Sequence, residues 1–175
     1  MQSLRSSSLR GTVLAIALLT GVSACAPDAT APEERATSPS VAAVEALIWE
    51  KELAIFAGRG NGTIEPYLNS ASDAYLGWPP VLPAPTNLDA LKASADAAVA
   101  LQGEVSNLSR KGFSLTGDTA LMYFLNHRTR LGDGMADEGE RAVDEYYENI
   151  HVWQRQNNDW QLIGGFARRM AGPRE

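Results

Sequence analysis

Cysteine is almost absent from this chain. Its 175 residues contain one, Cys25, so no disulfide can form within it. Histidine is nearly as scarce: His127 and His151 are the only two. With no His-x-x-His spacing and no cysteine nearby, neither a metal site nor another cofactor is expected. Basic residues are few, 15 Lys+Arg against 21 Asp+Glu. That balance excludes nucleic acid and anionic membrane surfaces as electrostatic partners. Also missing are a phosphate-cradling glycine loop, a dinucleotide fingerprint and a Gly-x-Ser-x-Gly nucleophile turn. The longest apolar run, Thr12 to Val22, falls short of the roughly 20 residues a spanning helix needs.

That run has another use. Arg5 and Arg10 precede it and Val22-Ser23-Ala24-Cys25 follows, the layout of an export signal. The end resembles a bacterial lipoprotein box, with Val22 where Leu is usual. The resemblance implies cleavage after residue 24 and lipidation of Cys25. Ala26 then favours the outer membrane, facing the periplasm; without acylation the protein is secreted. Removing Arg5 and Arg10 leaves 13 Lys+Arg against 21 Asp+Glu, a net charge of −8. The lipid is thus the expected membrane contact. Residues 25–40, with three prolines and no large apolar side chain, read as a disordered tether. Residues 41–170 then form one domain, and 171–175 a tail.

Within that domain, Val41–Ala57 reads as a helix between an Ser40 N-cap and a Gly58 stop. Val44, Leu47, Ile48 and Ile55 share one side, and Trp49, Leu53 and Phe56 widen the apolar arc, so other structure should wrap this helix. Glu45 and Glu52 fall inside the arc. They either snorkel to its edge or stand at the wall of a cavity. Thr63 caps a short helix through Leu68, and 73–78 reads as a strand. Four prolines in Trp78–Pro85 exclude helix and central strand. A third helix is predicted from Leu88 to Leu101, capped at Thr86-Asn87 and ended by Gly103.

From residue 104 the pattern is long strands: 105–115, 119–131, 142–155 and 160–168, with an acidic loop at 132–140. Asn157-Asn158 suits the centre of a tight hairpin turn, since Asn tolerates positive φ. The expected register pairs Arg155 with Trp160, Trp153 with Leu162 and Val152 with Ile163. His151, Trp153, Trp160 and Leu162 then share a face. Apolar residues on both hairpin faces predict packing on both sides. Helices followed by an antiparallel meander define an α+β domain.

Three signatures in this order resemble the nuclear transport factor 2-like superfamily, and its SnoaL-like branch of uncharacterised domains in particular. They are the helix from Trp49 to Gly60-Asn61, the turn Thr116-Gly117-Asp118-Thr119-Ala120, and Val152-Trp153 paired across a hairpin with Trp160. The resemblance implies a cone-shaped curved antiparallel sheet around the long N-terminal helix plus two shorter helices, with a pocket between them. It also implies a homodimer through the sheet. Relatives include ketosteroid isomerases, polyketide cyclases, dehydratases and modules that only bind or oligomerise. The isomerase chemistry needs a carboxylate at the end of the first strand and a tyrosine on the first helix. Leu76-Gly77-Trp78-Pro79 and the first helix supply neither.

The leading expectation is therefore an exported, lipid-anchored domain that binds a small apolar or aromatic molecule or acts as an accessory. Its pocket would be lined by Trp49, Glu52, Phe56, Tyr67, Tyr75, Trp78, Asn126 and Trp153. The first alternative is a cyclase, isomerase or hydratase using His151 as acid or base with a tyrosine such as Tyr147, because histidine titrates near neutral pH. The second is a structural dimerisation module. Catalysis is left open, and the commoner role for a histidine sharing a face with Trp153 is a packed or rim position.

Overall fold

The computed structural model describes residues 39–80, 82–131 and 141–172. Cys25, the expected signal and nearly all of the tether lie outside them, as do the acidic loop at 132–140 and the last three residues. The elements are α1 (Val41–Gly60), α2 (Glu65–Ser70), β1 (Ala71–Trp78), β2 (Thr86–Asn87), α3 (Leu88–Ala93), a 3-10 segment (Ala95–Leu101), β3 (Val105–Thr116), β4 (Thr119–Leu131), β5 (Arg141–Gln156) and β6 (Asp159–Met170). The strands form one curled, unclosed six-stranded sheet in the order β2-β1-β6-β5-β4-β3. The expected α+β architecture is present, with one departure. β1 runs parallel to β6, while the other neighbours are antiparallel.

The Ser40 hydroxyl caps α1 by accepting from the Ala43 amide at 3.2 Å. The helix passes Gly58, which was expected to stop it. Gly58 instead permits close approach: a Cβ there would sit 2.9 Å from the Pro66 ring. The buried stripe of α1 is Val44, Ile48, Glu52, Ile55 and Phe56, narrower than the expected arc. Leu47 and Leu53 are exposed. Glu45 reaches outward to Arg110 at 3.3 Å, the snorkelling reading, whereas Glu52 stays inside. The stripe packs on Met122, Phe124, Trp153, Trp160 and Leu162 of the concave sheet face. Each large side chain buried there contributes roughly 1.5–3 kcal/mol.

The predicted third helix breaks at Ser94, whose hydroxyl donates to the Leu91 carbonyl at 2.7 Å; beyond it the backbone tightens to 3-10 geometry. Serine competes for backbone partners in this way and so favours helix ends. Asn157 and Asn158 have φ of 51° and 66°, as the tight turn requires. Arg155–Trp160 and Trp153–Leu162 pair as expected, but Val152 faces Gly164 rather than Ile163, because a bulge intervenes. The bulge lets β6 bend. Within the described chain, only one hairpin face is covered. Ile150, Leu121 and Phe166 on the convex face are exposed among the described residues.

Gly164 is where β6 meets β1. A Cβ there would lie 2.3 Å from the Leu76 carbonyl oxygen. Gly164→Ala should therefore push β1 away and cost about 2–3 kcal/mol in urea denaturation, the usual penalty of overpacking. Gly172→Ala, which meets open space, is the control and should change nothing measurable. Equal stability of the two variants would contradict the close approach.

Candidate functional site

A carboxylate in the middle of an apolar stripe must find donors. Glu52 is 0% exposed and finds three contacts. Its Oε1 and Oε2 lie 2.9 and 2.8 Å from His151 Nδ1, and Oε1 accepts from Trp153 Nε1 at 2.8 Å. His151 and Trp153 are alternate residues of β5 and so point to the same face. An ionised carboxylate only accepts, so Nδ1 carries the proton. Nε2 then has no hydrogen-bond partner among the described residues, and His151 lines a cavity.

That cavity has a volume of about 370 Å³ and opens between the sheet and the α2–α3 side of the fold. Phe56, Tyr67, Tyr75, Leu91 and Leu101 give it apolar and aromatic walls; Trp78 borders it too, but its ring packs on Phe166 on the other face of the sheet. Asn126, Arg128, Tyr147, Asn149 and His151 make its polar side. Of the residues expected at a pocket, Trp49, Glu52 and Trp153 do not line it. Trp49 packs edge-on against Phe124 and under Arg110, while Glu52 and Trp153 stand behind His151. A wider groove of about 650 Å³ lies at the far ends of β5 and β6, away from this histidine.

Clearance for the imidazole comes from Gly165. A Cβ there would lie 2.5 Å from His151 Cδ2. Gly77 does the same for Tyr75, whose hydroxyl sits 2.0 Å from where a Gly77 Cβ would be. The Tyr75 and Tyr67 hydroxyls are 2.8 Å apart. Burial, then the neighbouring Tyr75, raises the Tyr67 pKa well above its usual value, and burial also raises that of Tyr75. Both phenols are therefore neutral proton donors at physiological pH.

At the mouth, Arg59 and Arg128 flank the buried Glu104 at 3.2 and 3.4 Å, and Arg128 also holds Glu145. Tyr147 donates to Glu145 at 2.6 Å. Burial would raise the Glu145 carboxyl, but Tyr147 and Arg128 outweigh it and hold it below the usual range. Burial and Glu145 raise Tyr147. Tyr147 is thus tied into an ion-pair network rather than free beside His151. His127 lies elsewhere, stacked on Tyr146 and bonded to Asp144 at 2.7 Å. Among the described residues no three His, Cys, Asp or Glu side chains gather as a metal site, and no helix is long and apolar enough to cross a membrane.

No family model and no curated protein matches the chain. Solved structures do. A candidate dehydratase of the nuclear transport factor 2-like family from Streptomyces avermitilis superposes with a TM-score of 0.63 at 17% identity, over 76% of this chain and 100% of its own. The fold is nuclear transport factor 2-like. A protein of that fold and unknown function from Pseudomonas putida gives 0.60 at 19% identity, covering 73% and 87%. The association domain of the C. elegans kinase CaMKII gives 0.61 at 12%, covering 75% and 99%. At these identities the likeness concerns the nuclear transport factor 2-like fold alone.

The Tyr67 shift has a measurable sign. A phenol whose folded pKa exceeds its unfolded value of about 10 contributes stability that is complete below pH 10 and lost as pH rises above it. Stability to urea should fall more steeply above about pH 10 in the parent than in Tyr67→Phe, by up to about 1.4 kcal/mol per pH unit. Parallel curves would contradict a buried Tyr67 phenol.

Proposed function

We propose that this domain binds a small, largely apolar carbonyl compound and transfers a proton next to the carbonyl, as in enolisation or dehydration. The observation that carries the reading is the Glu52–His151 pair. A fully buried carboxylate fixes the ring, and the opposite nitrogen is left without a protein partner at a cavity. In this reading His151 Nε2 is the base that takes the proton and returns it at the end. Glu52 is a positioning residue that favours the Nδ1-protonated ring and stabilises the imidazolium. The Tyr67–Tyr75 pair is the neutral donor to the carbonyl or departing hydroxyl oxygen. The candidate dehydratase among the structural neighbours is consistent with this chemistry and lends it analogy only.

The test is hydrogen–deuterium exchange in D2O, followed by NMR, over small cyclic ketones and β-hydroxy ketones. Exchange or dehydration should exceed the buffer rate by on the order of a hundredfold or more. His151→Ala should abolish the excess, and Glu52→Gln should lower kcat far more than it raises KM. Binding without acceleration, or acceleration that survives His151→Ala, would return the domain to a binding or accessory role.

Two apolar rows on the convex face support a homodimer. Register aligns Tyr123, Ile150, Phe166 and Trp78 across four strands, and beside them Leu121, Val152, Gly164 and Leu76. Leu76 is 57% and Phe166 48% exposed, and a contiguous apolar face of this kind marks an interaction surface. We place the domain outside the cytoplasm, held by lipid on Cys25 through its tether, on the strength of the lipoprotein-like signal. Native mass spectrometry of full-length protein tests both proposals. A dimer that Phe166→Glu dissociates and a diacylglycerol on Cys25 are expected. A monomer, or an unmodified cysteine, would overturn the respective claim.

A further inference from the structure

Beside His151, on the polar side of the cavity, lie two carboxamides. Asn126 is 3% exposed and Asn149 5%. Register sets Asn126 opposite Tyr147 and Asn149 opposite Phe124, so the two are diagonal neighbours on the concave face, and Asn149 is the next inward residue of β5 before His151. Neither amide is satisfied by the protein. Asn126 Oδ1 is buried with no partner, and no other described side chain or backbone group bonds its amide. Asn149 Nδ2 makes one long bond, 3.4 Å, to the Tyr147 carbonyl. Flipping either amide exchanges donor for acceptor without supplying the missing partner. Buried polar groups are normally paired, since an unpaired one costs desolvation with no return.

The charges nearby are already matched. Arg59 and Arg128 also line this cavity, but Glu104 and Glu145 neutralise them. The Nε of each guanidinium is buried without a hydrogen-bond partner, but its charge is already balanced, so a carboxylate head would add a negative charge to a neutral set and an ammonium head would face two cations. Beside these N–H donors, the two carboxamides offer neutral dipoles with donor and acceptor together.

We infer that Asn126 and Asn149 are specificity-determining residues for a neutral ligand head that carries a hydrogen-bond donor and an acceptor side by side on one carbonyl carbon, such as a carboxamide, lactam or ureide, joined to an apolar body. The inference rests on the cavity being a ligand site, as proposed above, and names the head group it takes. The head seats against the two amides, and the apolar body lies along the aromatic walls of the cavity.

Calorimetric titration with four probes that share one ring and differ in one substituent tests this: naphthamide, naphthoate, naphthylmethylammonium and methylnaphthalene. Naphthamide should bind at least about tenfold tighter than the other three, the worth of one well-made hydrogen bond. Asn126→Leu, and independently Asn149→Leu, should remove that preference while methylnaphthalene binds as before. Asn126→Leu should also raise Tm by a few degrees, because it deletes an unpaired buried dipole. Preference for naphthoate, a preference that survives both substitutions, or a lower Tm in Asn126→Leu would overturn the assignment of these amides and leave the cavity standing. If none of the four probes binds, the cavity is not a site for such ligands, and this inference falls with it.

Discussion

Glu52 joins helix to sheet. Its carboxylate sits in the apolar stripe of α1, where an isolated charge would be intolerable, and it is met there by Nδ1 of His151 and Nε1 of Trp153. A buried carboxylate held by hydrogen bonds adds little net stability compared with a well-packed apolar pair, yet removing one partner alone is costly. Its value lies in what it specifies. Turning α1 by a fraction of a turn, or sliding β5 by one residue, would leave a carboxylate, an imidazole and an indole buried without partners. The contact therefore fixes the rotation of the helix over the sheet, and the same contact fixes the tautomer of the histidine at the cavity.

The glycines complete that arrangement from the other side. Gly164 brings β1 against β6, Gly165 makes room for the imidazole and Gly77 for the Tyr75 ring. A strand carrying Cβ atoms at these places could not curl so closely around its own side chains. The cavity is thus built by residues that lack side chains as much as by those that line it.

Much of this was readable from spacing. The Asn157-Asn158 turn and the shared face of His151, Trp153, Trp160 and Leu162 follow from period-two alternation and turn chemistry. The Ser40 cap follows from local hydrogen bonding. Other features depend on partners far along the chain, where spacing is silent. Glu52 meets residues 99 and 101 positions away, so the sequence showed a glutamate inside an apolar arc but not what it was for. One signal was present: a glutamate on the helix stripe, and a histidine alternating with a tryptophan on the strand face. Asn149 carried no signal of its own. It stands at an inward position of β5, two residues before His151, and alternation alone would have found it. The parallel β1–β6 pairing and the open convex face were invisible for the same reason, since neither strand partner nor bulge is encoded locally.

The chemistry of the site depends on which nitrogen of His151 holds the proton. Nitrogen-15 NMR of histidine-labelled protein near neutral pH reads this directly, with His151→Gln assigning the signal. The account predicts a neutral ring protonated at Nδ1, its proton shifted far downfield by Glu52, and an unprotonated Nε2. A ring protonated at Nε2, or one that averages between tautomers as a free imidazole does, would contradict it.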